Sequence, residues 1–364
     1  MLRIKQNIIA PLRQSPDVAA LKAALTTAVE LEFSTIPPYL TGLFSIVADS
    51  NRVAAALIQS IVTEEMLHMT LAANMLIAIG GNPDIVALGQ SLKYPGPLPD
   101  KIGNDLQVDL AALTPSQVKN VFMAIERPVT KPGEILPGET VSEPTPVVPG
   151  EFGSIGEFYE AIWAAMEAVN GRNPELFAHP RLEQQVDISK WFPPVRTAPE
   201  NGYIVDLKTV RQAIDTIILQ GEGIDMARAT LPVDGDGSYA HYYKFGEIFH
   251  ERRLVPDPEA VSGWSYAGAP VPLEQERIYN FLPNAALSDY IPGTPASLAA
   301  QRFYGTYQVL LASLNKVFNG QPNQLDSALG LMYQLKLQAQ QVAQCTVSGN
   351  RSNLVAAPPF MQTH

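Results

Sequence analysis

The sequence predicts a mainly α protein whose helices are separated by long ordered loops. Two observations carry this expectation. Residues 51 to 79 contain no proline or glycine, and apolar residues at Leu57, Ile61, Ala72, Leu76 and Ile79 mark one buried helical face. The 31 prolines gather instead in a few long segments without helical period. A third observation concerns chemistry. Continuing the buried stripe of 51–79 leads to Glu65 and His68, a carboxylate and an imidazole three apart, which project side by side. Burying them is costly unless they are paired, and a metal ion is the usual partner in a helix bundle. Alone, the pair would read as a polar layer in a helix core.

The first helix starts near Pro16-Asp17, with Ser15 or Asp17 available as cap. Its stripe runs through Leu21, Leu25 and Ala28 to Glu32 and then Ile36, so Glu32 holds a core position. Pro37-Pro38 removes two amide donors and should kink or break the helix one turn later. A short turn at Ala48-Asp49-Ser50 makes this helix and the next antiparallel neighbours. The register that sets Glu32 against Glu65 also sets Ala28 against Met69 and Leu25 against Ala72.

Residues 82–153 read mostly as loop, with a short helix capped at Thr114. Ser154-Ile155-Gly156-Glu157 opens another helix, buried along Ile155, Phe158, Ile162, Met166 and Val169. Residues 171–205 are loop-like again. A helix from Asp206 buries Val210, Ile214 and Ile218, and one further turn on that stripe is Glu222, between Gly221 and Gly223. A helix capped by Ser238 and reaching about Arg252 contains a literal Glu-x-x-His, Glu247 to His250. Its stripe of Tyr243, Lys244, Glu247 and His250 reads as solvated, whereas His241, Phe245 and Ile248 read as buried. His241 is therefore the better ligand and Glu247/His250 the decoy. Two helices, about 297–318 and 324–345, close the chain before a tail expected to fray. They serve as packing or as an interface, which admits a homo-oligomer. The organisation expected is a metal-binding bundle over residues 1–252, with insertions at 82–153 and 171–205, and a loop plus helical pair over 253–364 packing on it.

Composition narrows the partners. A net charge of −11 argues against nucleic acid and anionic membrane surfaces, and no apolar run reaches the ~18 residues of a membrane span. The first residues lack the apolar core of a signal peptide. A single cysteine, Cys345, excludes disulfide scaffolds and cysteine-based zinc sites, and makes a cytoplasmic setting the default.

Several segments together resemble a known family: EFSTIPPYL at Glu32–Leu40, EEMLH at Glu64–His68 followed by AANMLIAIGG, IGEFY at Ile155–Tyr159, QGEG at Gln220–Gly223 and HYYKF at His241–Phe245. As a set they resemble the ferritin-like domain of iminophenylpyruvate dimer synthases of the violacein and rebeccamycin type. The resemblance spans about residues 17–252 and implies a ferritin-like four-helix bundle with a carboxylate–histidine iron site. Carried onto this chain, the ligands are Glu32, Glu65, His68, Glu222 and His241, the same five the helical faces select. The match departs from the di-iron pattern in one place: three residues before His241 stands Ser238, so a fourth carboxylate is missing. Glu64 or water fills the position, or the site holds one metal. The chain is also much shorter than the full synthases, whose other activities do not carry over.

Oxygen and imidazole ligands suit iron or manganese, with zinc possible. The expected function is an iron-dependent oxidoreductase using O₂ or peroxide on a small organic molecule in secondary metabolism, with Tyr39 near the pocket. The alternatives are a non-catalytic metal-binding or scaffold module and a bundle that has lost its metal.

Overall fold

The computed structural model describes residues 12–97, 99, 106–128, 130, 134–140, 154–223 and 231–364. Helix α1 (Val18–Phe44) is capped by Asp17, whose side chain accepts from the Ala20 amide. It turns into α2 (Arg52–Ala78), followed by the short α3 (Ile85–Ser91). A fourth helical run, α4, consists of Pro115–Gln117, a π-helical Val118–Phe122 and Met123–Ile125 without interruption. Then come α5 (Ile155–Arg172), capped by Ser154, and α6 (Leu207–Gly221), capped by Asp206 and Thr209 in a reciprocal box. The nine-residue α7 (His241–Phe249) precedes a two-stranded ribbon, β1 (Val255–Pro256) with β2 (Trp264–Ser265), and the chain closes with α8 (Pro295–Val317) and α9 (Leu325–Val342).

Helices α1, α2, α6 and α5 form a closed four-helix ring, each packing on the next. The stripes that face inward are the apolar ones read from sequence: Leu21, Leu25 and Ala28 on α1, Ile61, Ala72 and Leu76 on α2, Phe158 and Ile162 on α5, and Val210 and Ile214 on α6. Helix α7 packs against α2, α4 and α6 at one side of this ring. The α8–α9 hairpin lies on α3 and touches α1.

Three expectations need correction. Helix α1 runs unbroken through Pro37-Pro38. Pro38 cannot donate to the Ser34 carbonyl, and the buried Tyr94 hydroxyl does so instead, at 2.8 Å. Helix α7 begins at His241, not Ser238, because the Asp234 carboxylate draws the Asp236 and Ser238 amides into a turn. The C-terminal tail does not fray. The amides of Leu282 and Leu287 donate to the Val355 and Met361 carbonyls, and Phe360 packs edge-on against Phe303 and Tyr307.

Tyr94→Phe should lower stability by about 1–3 kcal/mol, the cost of leaving a buried carbonyl without a donor. Denaturant unfolding of the two proteins measures it. An unchanged midpoint would mean that the Ser34 carbonyl finds another partner.

Candidate metal centre

The helical faces that carry the core also deliver polar groups into it. Glu32 from α1, Glu65 and His68 from α2, and His241 from α7 are each no more than 3% exposed. One ligand atom from each of Glu65, His68 and His241 falls within 4.8 Å of the others, a grouping able to hold a metal ion. The two imidazole rings stack, with centroids 5.4 Å apart.

Both histidines present Nδ1 to the carboxylates and tie Nε2 elsewhere. His68 Nδ1 lies 3.6 Å from Glu32 Oε2, and its Nε2 is 2.9 Å from the Gln220 side-chain carbonyl. His241 Nδ1 lies 2.7 Å from Glu65 Oε1 and 3.6 Å from Glu126 Oε2, while Nε2 is 2.8 Å from Glu64 Oε2. His241 Nδ1 is fully buried and pairs with Glu65 without the alignment of a good hydrogen bond. Buried nitrogens are rarely left without a partner. This one faces the Glu65 and Glu126 carboxylates, where a bound cation could take the place of a shared proton.

Each carboxylate is held by a neutral donor. Thr35 donates to Glu65 Oε2 at 2.9 Å and Tyr159 to Glu32 Oε1 at 2.6 Å. Tyr39 donates to Glu126 Oε1. Glu222, at the C-terminal end of α6, accepts from Gly156 N at 2.7 Å and Ser154 Oγ at 3.0 Å. A Cβ at Gly156 would lie 2.8 Å from Glu222 Oε2, so any larger residue would push this carboxylate from its place. Glu222 thus reaches the N-terminal turn of α5 as well as a small cavity shared with Glu32, Glu65, His68 and Glu126, walled by Ile155, Ile217 and Ile218.

Glu126 is the residue that sequence reasoning missed. The chain segment around it reads as loop, yet it ends α4, buried, with its carboxylate facing His241. It brings a fourth carboxylate to the cluster, 3.6 Å from His241 Nδ1. A signal was present: Val118, Phe122 and Glu126 are spaced by four, the same rule that picked out Glu32 and Glu222.

Glu64 bonds His241 and Lys244. Glu247 and His250 stand apart from the cluster, but not for the reason expected. Glu247 is buried, not solvated, accepting from Leu254 N at 2.9 Å and pairing with Arg253. His250 stacks on Tyr266, with centroids 4.3 Å apart.

Burial, with the neighbouring Glu126, pushes the Glu65 carboxyl up to about 7. Burial also raises Glu222 to about 7, against the pull of the Gly156 and Ser154 hydrogen bonds. Desolvation alone would depress both histidines, but surrounding carboxylates outweigh it and hold His68, and more strongly His241, above the usual imidazole range. Glu64 goes the other way. Its burial is outweighed by His241 and Lys244, which hold it at about 2.

A four-helix ring with carboxylates and imidazoles projecting into its centre defines the ferritin-like class of protein. The family model described as Ferritin-like matches residues 25–250, and the chain belongs to that family. In structure it is similar to a ferritin-like protein from Caulobacter vibrioides, with a TM-score of 0.58, 24% sequence identity, and 93% of this chain and 96% of that chain covered; this likeness concerns the fold. No curated protein matches it in sequence. No helix among the described residues is long and apolar enough to cross a membrane.

The protonation pattern has a sign. Glu65 and Glu222 hold protons up to about 7 in the fold, whereas unfolded carboxyls lose them near ~4.3. The metal-free fold therefore binds more protons than the unfolded chain across that window, and its stability falls as pH rises through it. The raised histidines act in the same sense above ~6.5, while Glu64 adds stability that is lost only as pH falls below ~4.3 towards 2. Metal-free protein should melt higher at pH 5.5 than at pH 8. Binding of Mn²⁺ at pH 7 should release protons, visible as a buffer-dependent heat in titration calorimetry. Binding heats that are independent of buffer would contradict this.

Proposed function

We propose that the cluster is a non-haem iron centre and that the protein is an oxidoreductase using O₂ or peroxide on a small organic molecule. The observation that carries the reading is the buried group of Glu65, His68 and His241, whose ligand atoms lie within 4.8 Å of one another. The donor set of carboxylate oxygens and imidazole nitrogens, without sulfur, fits iron or manganese, and zinc less well. Glu65, His68 and His241 would hold the ion, with Glu32, Glu126 and Glu222 completing the shell or binding a second one. Bound iron would supply the one-electron chemistry with oxygen that no side chain offers.

The chain's own residues set the conditions for it. Thr35, Tyr159 and Tyr39 fix the ligand carboxylates from outside, and both imidazoles are oriented through Nε2. Ile155, Ile217 and Ile218 close the small space that the carboxylates and His68 share. The motifs shared with the iminophenylpyruvate dimer synthases support a role in secondary metabolism, and the single cysteine supports a cytoplasmic setting.

One observation favours the alternative of a non-catalytic metal-binding module. Glu126 fills the carboxylate gap that the sequence left open, which makes a closed shell easier to complete.

Protein purified without chelator should contain one or two iron or manganese ions by elemental analysis. Glu65→Ala and His241→Ala should lose them and His250→Ala should keep them. Anaerobic ferrous protein exposed to air should oxidise rapidly and develop a near-ultraviolet or visible band that azide alters. Ferrous protein that is indifferent to both air and azide would leave the structural module as the reading.

A further inference from the structure

Glu64 precedes the ligand Glu65 and could itself be taken for a ligand. The geometry points instead to a positioning role: we propose that Glu64, fixed by Lys244, orients His241 so that Nδ1 faces the metal. This rests on the metal reading above.

Consecutive residues on a helix project about 100° apart. Glu65 therefore faces the centre of the ring while Glu64 faces α7, with its side chain 20% exposed against 3% for Glu65. Both oxygens of Glu64 are already engaged. Lys244 Nζ lies 2.8 Å from Oε1 and 2.5 Å from Oε2, and His241 Nε2 lies 2.8 Å from Oε2. Lys244 follows His241 by three residues, so the two share a face of α7 and meet the same carboxylate.

A buried ammonium–carboxylate pair contributes little net stability over an apolar pair of similar volume. Lys244 is nonetheless 93% enclosed along its side chain, on a helix otherwise rich in aromatic residues. What the pair does achieve is directional. With Lys244 across both oxygens, Glu64 cannot swing towards the ring centre, and it takes the Nε2 hydrogen of His241. Nδ1 is then the nitrogen left facing Glu65 and Glu126, where a metal would meet it. Groups that orient a ligand imidazole in this way typically account for 10- to 100-fold in metal affinity.

The test compares Glu64→Gln, which can still accept from Nε2, with Glu64→Leu, which cannot. Because Glu64→Leu leaves Lys244 buried and alone, the double variant Glu64→Leu/Lys244→Met serves where the single one fails to fold. Two readouts are taken. In metal-free, ¹⁵N-histidine-labelled protein, the His241 Nε2–H proton should resonate downfield and exchange slowly in the wild type and in Glu64→Gln, and vanish into solvent exchange in the leucine variants. Mn²⁺ affinity, followed by the electron spin resonance of free Mn²⁺, should fall less than tenfold in Glu64→Gln and 10- to 100-fold in the leucine variants. Loss of binding in Glu64→Gln as complete as in Glu65→Gln would make Glu64 a ligand and overturn the proposal. Wild-type affinity in the leucine variants would reduce the pair to a tie between helices and overturn it equally. A wild-type protein that binds no metal would refute the metal reading itself, while the proton readout would still decide whether Glu64 orients His241.

Discussion

The structure is governed by the need to bury ionisable groups in an apolar interior. Glu32, Glu65, Glu126, His68 and His241 all lie within the core, and Glu222 reaches it from the end of α6. Leaving even one such charge uncompensated costs several kcal/mol. The chain meets this with hydroxyl and amide donors: Thr35, Tyr159, Tyr39, Ser154 and the Gly156 amide each hold one carboxylate oxygen. These are dipoles and not counter-charges. They fix the direction of the carboxylates without neutralising them, and neutralisation is left to bound protons or to a cation.

This requirement explains why the four-helix ring is not enough. The ring itself provides Glu32, Glu65, His68 and Glu222. The remaining two groups come from outside it, Glu126 from α4 and His241 from α7, and those two elements pack on each other. Tyr39, Phe122 and Phe245 lock that junction, with ring centroids about 5 Å apart in each pair. Gly156 leaves space for the Glu222 carboxylate where it meets α5. The long segment between α2 and α5 thus carries part of the site and is more than a connection.

Much of this was legible because a carboxylate on an apolar stripe violates the pattern that surrounds it. Glu32 after Ala28, Glu65 and His68 between Ile61 and Ala72, and Glu222 after Ile218 are visible from spacing alone. Glu126 obeys the same spacing, but α4 is short, flanked by proline-rich segments and partly π-helical, so too few turns exist for a stripe to declare itself. The misreading of α7 has another cause. A nine-residue helix buried on nearly every side has no solvated face to find, and Lys244 and Glu247 are tolerated inside only because Glu64, Arg253 and the Leu254 amide meet them. The same holds at Pro37-Pro38, where the compensating donor, Tyr94, lies far along the chain. Local pattern shows which groups are out of place, whereas the partners that pay for them are set by tertiary structure.

Charge balance bounds what the centre can accommodate. Glu64 is neutralised by Lys244, which leaves Glu32, Glu65, Glu126 and Glu222 as four carboxylates to be balanced. Two divalent ions would balance all four with neutral imidazoles. One divalent ion would leave two negative charges for bound protons to balance. With no ion, protons must also reside on the histidines, in agreement with their raised values. By this balance a divalent ion would exchange for about two protons, so metal binding at the proposed centre would compete with protonation.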